Sequence, residues 1–227
     1  MNQYAHHCRW VKDKITEFAT TIFKVYGNEL VLKLEDYNLL SNENNCLESS
    51  TALGFIIEEF LISKLEVFTQ DNKDFCIKRA IDNTAINHSY DCYCKYKDIL
   101  FMINIKTEKN SSNNNAISAI NILHNDYCSD KEQIKAYLVF KVYYKYGLSR
   151  RKQERALIIQ NIDTFYLEEI DFSAGHKQDY RNWSGVFKGQ SGRLQISKKF
   201  KQDNQVDFQK ISYEITYNFI QGIFESC

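Results

Sequence analysis

The segment "SYDCYCKYKDILFMINIKTEKN", residues 89–110, constrains the fold more than any other part of the chain. Tyrosine and cysteine alternate through its first part, the apolar run "ILFMI" follows, and mostly polar residues close it. The polar stretch "KYKD" stands between the first two. Two strands, 89–94 and 99–106, joined by that turn, are the expected structure. A strand as apolar as "ILFMI" has to be covered, which calls for a sheet with helices packed on it.

The rest of the chain supplies such elements. In "RWVKDKITEFATTIFKVY", Val11, Ile15, Phe18, Ile22 and Val25 recur at helical spacing, and Gly27 provides a stop. A linker rich in Asn and Ser, 41–50, follows. "SSTALGFIIEEFLISKLEVF" predicts a second helix, with Ser49, Ser50 or Thr51 as cap and Leu53, Ile57, Phe60, Leu61, Leu65 and Phe68 as its buried stripe. "NNNAISAINILHNDY" predicts a third helix, while "QIKAYLVFKVYY" and "RALIIQNIDTFYL" predict two buried strands. Residues 206–225 predict a last helix, and the glycine-bearing stretch 173–192 a loop or hairpin. The expectation is one α/β (α+β) domain over 1–227, a mixed central β-sheet flanked by helices.

Composition narrows the function classes. A 227-residue chain, 44% hydrophobic and 26% charged, can bury a full core and is not a disordered protein. No apolar run approaches the roughly 20 residues that span a bilayer, so no membrane association is expected. The opening "MNQYAHHCRW" has no basic-then-apolar signal pattern, and the seven cysteines fit no disulfide framework. Both features point to the cytoplasm and to reduced thiols. His6, His7 and Cys8 are close enough for zinc but lack a second spaced pair.

Zero net charge conceals two basic blocks. Residues 35–75 hold nine acidic and two basic side chains. Residues 131–155 hold eight basic and two acidic, and 176–201 seven basic and one acidic. A neutral chain with this distribution can present a strongly positive face to a polyanion.

The opening strand ends abruptly in Asn104-Ile105-Lys106. Either its tip has reached water, or its polar groups face something charged. On alternating geometry Asn104 and Lys106 share a side with Leu100 and Met102, roughly 7 Å apart along the strand. The hairpin can bring Asp91 beside them. Asp91 and the amide oxygen of Asn104 suit a hard divalent cation such as magnesium, with manganese or calcium as substitutes. Lys106 suits a water attacking a phosphoryl group, or the charge that builds in the transition state.

Asp91, twelve intervening residues, then Asn104-Ile105-Lys106 after an apolar strand resembles the PD-(D/E)xK nuclease motif, best known in type II restriction endonucleases. Two departures stand out. Tyr90 occupies the proline position, and Asn104 occupies the position of the acid that usually precedes x-Lys. The second leaves the metal count and third ligand open, with Glu108 an alternative if the strand continues. Members of the family often take a further glutamate from the preceding helix, one turn after a glycine. In "TALGFIIEEF" that pattern selects Glu58, four residues after Gly54, over Glu59.

The resemblance covers about 50–146 and implies a restriction-endonuclease-like core. It further implies magnesium-dependent cleavage of double-stranded DNA at a specific sequence, with a palindromic, A/T-rich target expected, and a homodimer with one active site per strand. Arg150, Arg151 and Lys152 in "YGLSRRKQER" are candidates for phosphate contacts. In the basic region 173–201, Arg181, Asn182, Trp183, Lys188, Gln190, Arg193, Gln195, Lys198 and Lys199 are candidates for phosphate or base contacts. The alternatives are a non-catalytic DNA-binding protein and a repair or branched-DNA nuclease of the same fold. "LHND" at 123–126 matches part of an HNH nuclease site, but it falls at a helix end and lacks the ββα-metal arrangement.

Overall fold

The computed structural model describes residues 2–32, 50–80, 88–109, 116–151, 154–169, 193–195 and 212–225. Helix α1 runs Gln3–Val25, starting six residues before its apolar stripe suggests, because Asn2 caps it: the Ala5 N–H donates to Asn2 Oδ1 at 2.7 Å. Its buried residues include Cys8, Val11, Ile15 and Ile22, whereas Val25 is exposed at the last turn. Gly27 and Asn28, both at positive φ (69° and 58°), then reverse the chain into β1, Glu29–Val31.

Helix α2, Ser50–Thr69, buries Leu53, Ile57, Leu61, Ile62 and Leu65, while Phe68 is exposed. Strand β2 (Lys78–Arg79) leads to β3 (Cys92–Tyr96) and β4 (Ile99–Lys109). The hairpin turns tightly at Lys97, whose φ is 53°. Strand β5 (Ala116–Ala119) precedes α3 (Ile120–Cys128). The expectation of one helix across 113–127 is therefore corrected: Ala116–Ala119 pairs antiparallel with β8, Arg193–Gln195, whose partner strand no local pattern announces. Strands β6 (Ile134–Leu148) and β7 (Arg155–Tyr166) follow, and α4 (Tyr213–Glu225) comes last.

Six strands form one sheet in the order β1-β7-β6-β4-β3-β2. Only the β4–β6 pair is parallel, matching Ile99 with Ile134 and Lys109 with Tyr144, with α3 in the crossover between them. The other pairs are antiparallel, so the sheet is mixed, as expected. Phe101, Ile103 and Ile105 of β4 pack with α1 and α2, and Met102 packs on the opposite side with Leu123 and Tyr127 of α3 and Ile220 of α4. The alternation read from "LFMINI" is thus the alternation of two cores.

The linker 41–49, and Lys152, Arg181, Asn182, Trp183, Lys188, Gln190, Lys198 and Lys199, lie outside the described residues. No helix among the described residues is long and apolar enough to cross a membrane.

Candidate active site

Asp91 stands one residue before β3, at the mouth of the hairpin. Its N–H donates to Ile103 O at 2.9 Å, and its carbonyl accepts from Ala80 N at 3.0 Å. Its side chain is also tied to β4, because Ile105 N–H donates to Asp91 Oδ2 at 2.6 Å. The carboxylate is therefore held against the stretch that carries Asn104 and Lys106. Burial raises its pKa, while Lys106 and the Ile105 N–H act in the opposite direction.

Glu58 comes to the same place from α2. Its carboxyl is pushed up to about 7, chiefly by burial and then by the negative charge of Asp91, with Lys106 pulling the other way. The approach depends on Gly54. A Cβ built at that position would collide with Thr107 Oγ1 on β4, so only glycine lets α2 lie this close to the motif strand. The carboxyl of Glu59 is tied to Arg79, whose Nη1 donates to its Oε1 at 2.6 Å, though its negative charge still reaches Asp91. Of the two adjacent glutamates, Glu58 is the one that feels both Asp91 and Lys106 and has no such cation bound to it.

Asn104 is buried, and its amide nitrogen donates to Ser89 O and to Tyr137 Oη, both at 2.5 Å. Glu108 does continue the same strand, which runs to Lys109, but it forms a buried ion pair with Lys141 of β6. That pairing also shows that the block 131–155 does not turn all its charge outward. Lys135 is buried too, its Nζ donating to the carbonyls of Tyr127 and Asp130. Arg150 and Arg151 remain exposed, in the turn after β6. Glu29 holds that turn, accepting from Ser149 Oγ at 2.7 Å and from Arg150 N at 3.2 Å. Since β4 and β6 are parallel, the turn lies at the same end of the sheet as Lys106. Of the other candidates in 173–201, only the backbone of Arg193 and Gln195 in β8 is described.

The donor set fits a hard cation better than a soft one. Among the described residues no group of three or more His, Cys, Asp or Glu is arranged to hold a metal, and Cys8 is buried in the core beneath α1. Two carboxylates are nonetheless enough protein ligands for magnesium, which keeps several of its waters. The raised carboxyl of Glu58 beside Asp91 fits as well, because two like charges forced together are relieved by a cation between them.

Sequence reasoning missed three residues here: His88, Asp126 and Tyr137. His88 belongs to the stretch just before Asp91, and Asp126 and Tyr137 hold that stretch from distant parts of the chain. A polar Asp on the sheet-facing side of a short helix was the only signal available.

No protein-family model matches the sequence, and no curated protein matches it. Among solved structures the chain is similar to NlaIV restriction endonuclease, with 11% sequence identity, 94% of this chain and 86% of that chain covered, and a TM-score of 0.44. The functional reading rests on the side chains above and not on that likeness.

Proposed function

We propose that the protein is a magnesium-dependent endonuclease that hydrolyses phosphodiester bonds in double-stranded DNA at a specific sequence. The observation that carries this reading is the convergence of Glu58, Asp91 and Lys106 from α2, the hairpin mouth and β4. Two acids and a lysine meeting beside one strand suit metal-assisted phosphoryl hydrolysis, and the Asp91…Asn104-Ile105-Lys106 pattern resembles that of nucleases.

In this reading Asp91 and Glu58 hold the ion, and the oxygen of Asn104 is the third protein ligand. A bound magnesium supplies an acidified water and neutralises charge on the scissile phosphate. Lys106 orients the attacking water and stabilises the negative charge that develops on the phosphoryl oxygens. Arg150 and Arg151 lie at the same end of the sheet and suit backbone phosphates flanking that position. A palindromic target would call for a two-fold dimer, each subunit cutting one strand.

The test is digestion of a plasmid with magnesium and with chelator, followed by sequencing of the ends. Discrete fragments sharing one terminal sequence, and formed only with the metal, are expected. Salt-sensitive binding without cleavage would replace this reading with that of a DNA-binding protein. Ends of no fixed sequence would replace it with that of a structure-selective nuclease.

A further inference from the structure

Residues 88–91 form no strand, yet they carry the carboxylate on which the site depends. Four side-chain contacts hold them instead. Asp126, on α3, takes two: its Oδ1 lies 3.1 Å from His88 Nδ1, and its Oδ2 accepts from Ser89 N–H at 2.6 Å. At the next peptide, Ser89 O accepts from Asn104 Nδ2 and, in a very short bond, from the Tyr137 hydroxyl of β6. Tyr137, Asn104 and Ser89 are all buried, and the side chain of Asp126 is only 8% exposed. Bonds in so dry a setting are stronger than their surface equivalents, and the Asp126 contacts are charge-assisted.

The cost that these bonds offset is visible. Asp91 is partly buried, and burial disfavours its charged form despite the nearby Lys106, so without a bound metal the loop gains by moving outward to water. Asp91's own backbone bonds to Ile103 and Ala80 resist that movement at one end of the loop. At the other end the resistance comes from α3 and β6, which grip Ser89 two residues away.

We propose that Asp126 and Tyr137 are positioning residues for Asp91, fixing its carboxylate in the place where it receives a divalent ion. This rests on the metal site of the preceding subsection. Neither residue touches the ion; each acts through Ser89 and, for Tyr137, through Asn104 as well. Partners of this kind, one shell out from the ligands, typically change metal affinity by about 10- to 100-fold when removed.

Full-length Tyr137→Phe is the cleanest probe, because it removes the hydroxyl and leaves the ring in its core. Asp126→Ala is the second, with Asp126→Asn as its conservative rescue. Two quantities are read on DNA-free protein: binding of Mn2+, followed by the signal of the free ion, and hydrogen exchange of the Ile105 amide, which donates to Asp91 Oδ2. Tyr137→Phe and Asp126→Ala are expected to weaken Mn2+ binding about tenfold or more and to speed exchange at Ile105, with Phe140 in the core unchanged. Asp126→Asn is expected to recover most of both. A merely structural role would lower the melting temperature and leave Mn2+ affinity and the Ile105 amide as they were, and that result would overturn the proposal. If Asp91→Ala also binds Mn2+ like wild type, the metal site itself is wrong and the proposal falls with it. If Asp91→Ala loses the ion while Tyr137→Phe keeps it, the metal site stands and only the positioning role falls.

Discussion

Arg79 Nη1 donates to Glu59 Oε1 at 2.6 Å, and this pairing ties up one of the two adjacent glutamates beside the site. The ion pair is part-exposed and contributes about 1 kcal/mol or less. Glu59→Gln should therefore retain cleavage within roughly a few-fold. Glu58→Gln should reduce the single-turnover rate by about two orders of magnitude or more, the scale of losing an electrostatic contribution of a few kcal/mol. Rapid-quench rates for the two variants decide the assignment.

Gly54 and Thr107 define how closely α2 approaches the motif strand. Alanine in a helix interior normally gains up to about 1 kcal/mol over glycine. Here the added methyl meets a β-branched side chain with little room to turn, and overpacking costs about 1–3 kcal/mol. Gly54→Ala should thus lower stability despite its better helix propensity, and it should weaken metal binding by moving Glu58. Urea unfolding and an Mg2+ titration check the two effects separately.

The raised carboxyl of Glu58 sets a pH dependence for the metal. With its pKa at about 7 in the metal-free protein, an ion binding to the carboxylate must displace a proton at lower pH. Apparent Mg2+ affinity should fall as pH drops below 7 and level off above it, with proton uptake by the buffer at pH 6 visible in calorimetry. The stability sign follows from the same shift. A folded pKa above the unfolded value favours the folded state at pH below about 4.5, and that contribution is lost as pH rises through 7. Magnesium should restore stability at pH 8 more than at pH 5.

A second acid behaves the same way far from the site. Glu168 accepts a hydrogen bond from the Tyr4 hydroxyl at 2.6 Å, and burial pushes its carboxyl up to about 7. Its contribution to stability is present below its unfolded pKa and is lost as pH rises through 7, a change on the order of 3 kcal/mol. Glu168→Gln keeps an acceptor for Tyr4 and cannot ionise. Its denaturation midpoint should therefore vary less between pH 5 and pH 8 than that of wild type.

Much of this architecture was legible because local pattern and tertiary role coincide. The apolar alternation of β4 separates two cores, and the glycine-then-glutamate spacing of α2 corresponds to a contact with Thr107 and a carboxyl turned to Asp91. What was illegible depends on partners distant in sequence. Ala116–Ala119 is a strand because β8, some 75 residues on, pairs with it, and nothing in "AISA" shows this. The grip on Ser89 joins α3 and β6 to the hairpin mouth, so no spacing rule reaches it. Nor does charge counting show that Lys135 and Lys141 point inward, which only their buried partners reveal.

The most direct measurement compares wild type with Lys106→Ala on a plasmid carrying the target, scoring cleavage with Mg2+ and binding with Ca2+. Binding within a few-fold of wild type, together with cleavage lowered by at least about a thousandfold, is the expected result for a lysine that serves only the transition state. Cleavage by Lys106→Ala at the wild-type rate would contradict the assignment of this part of β4 as the catalytic centre.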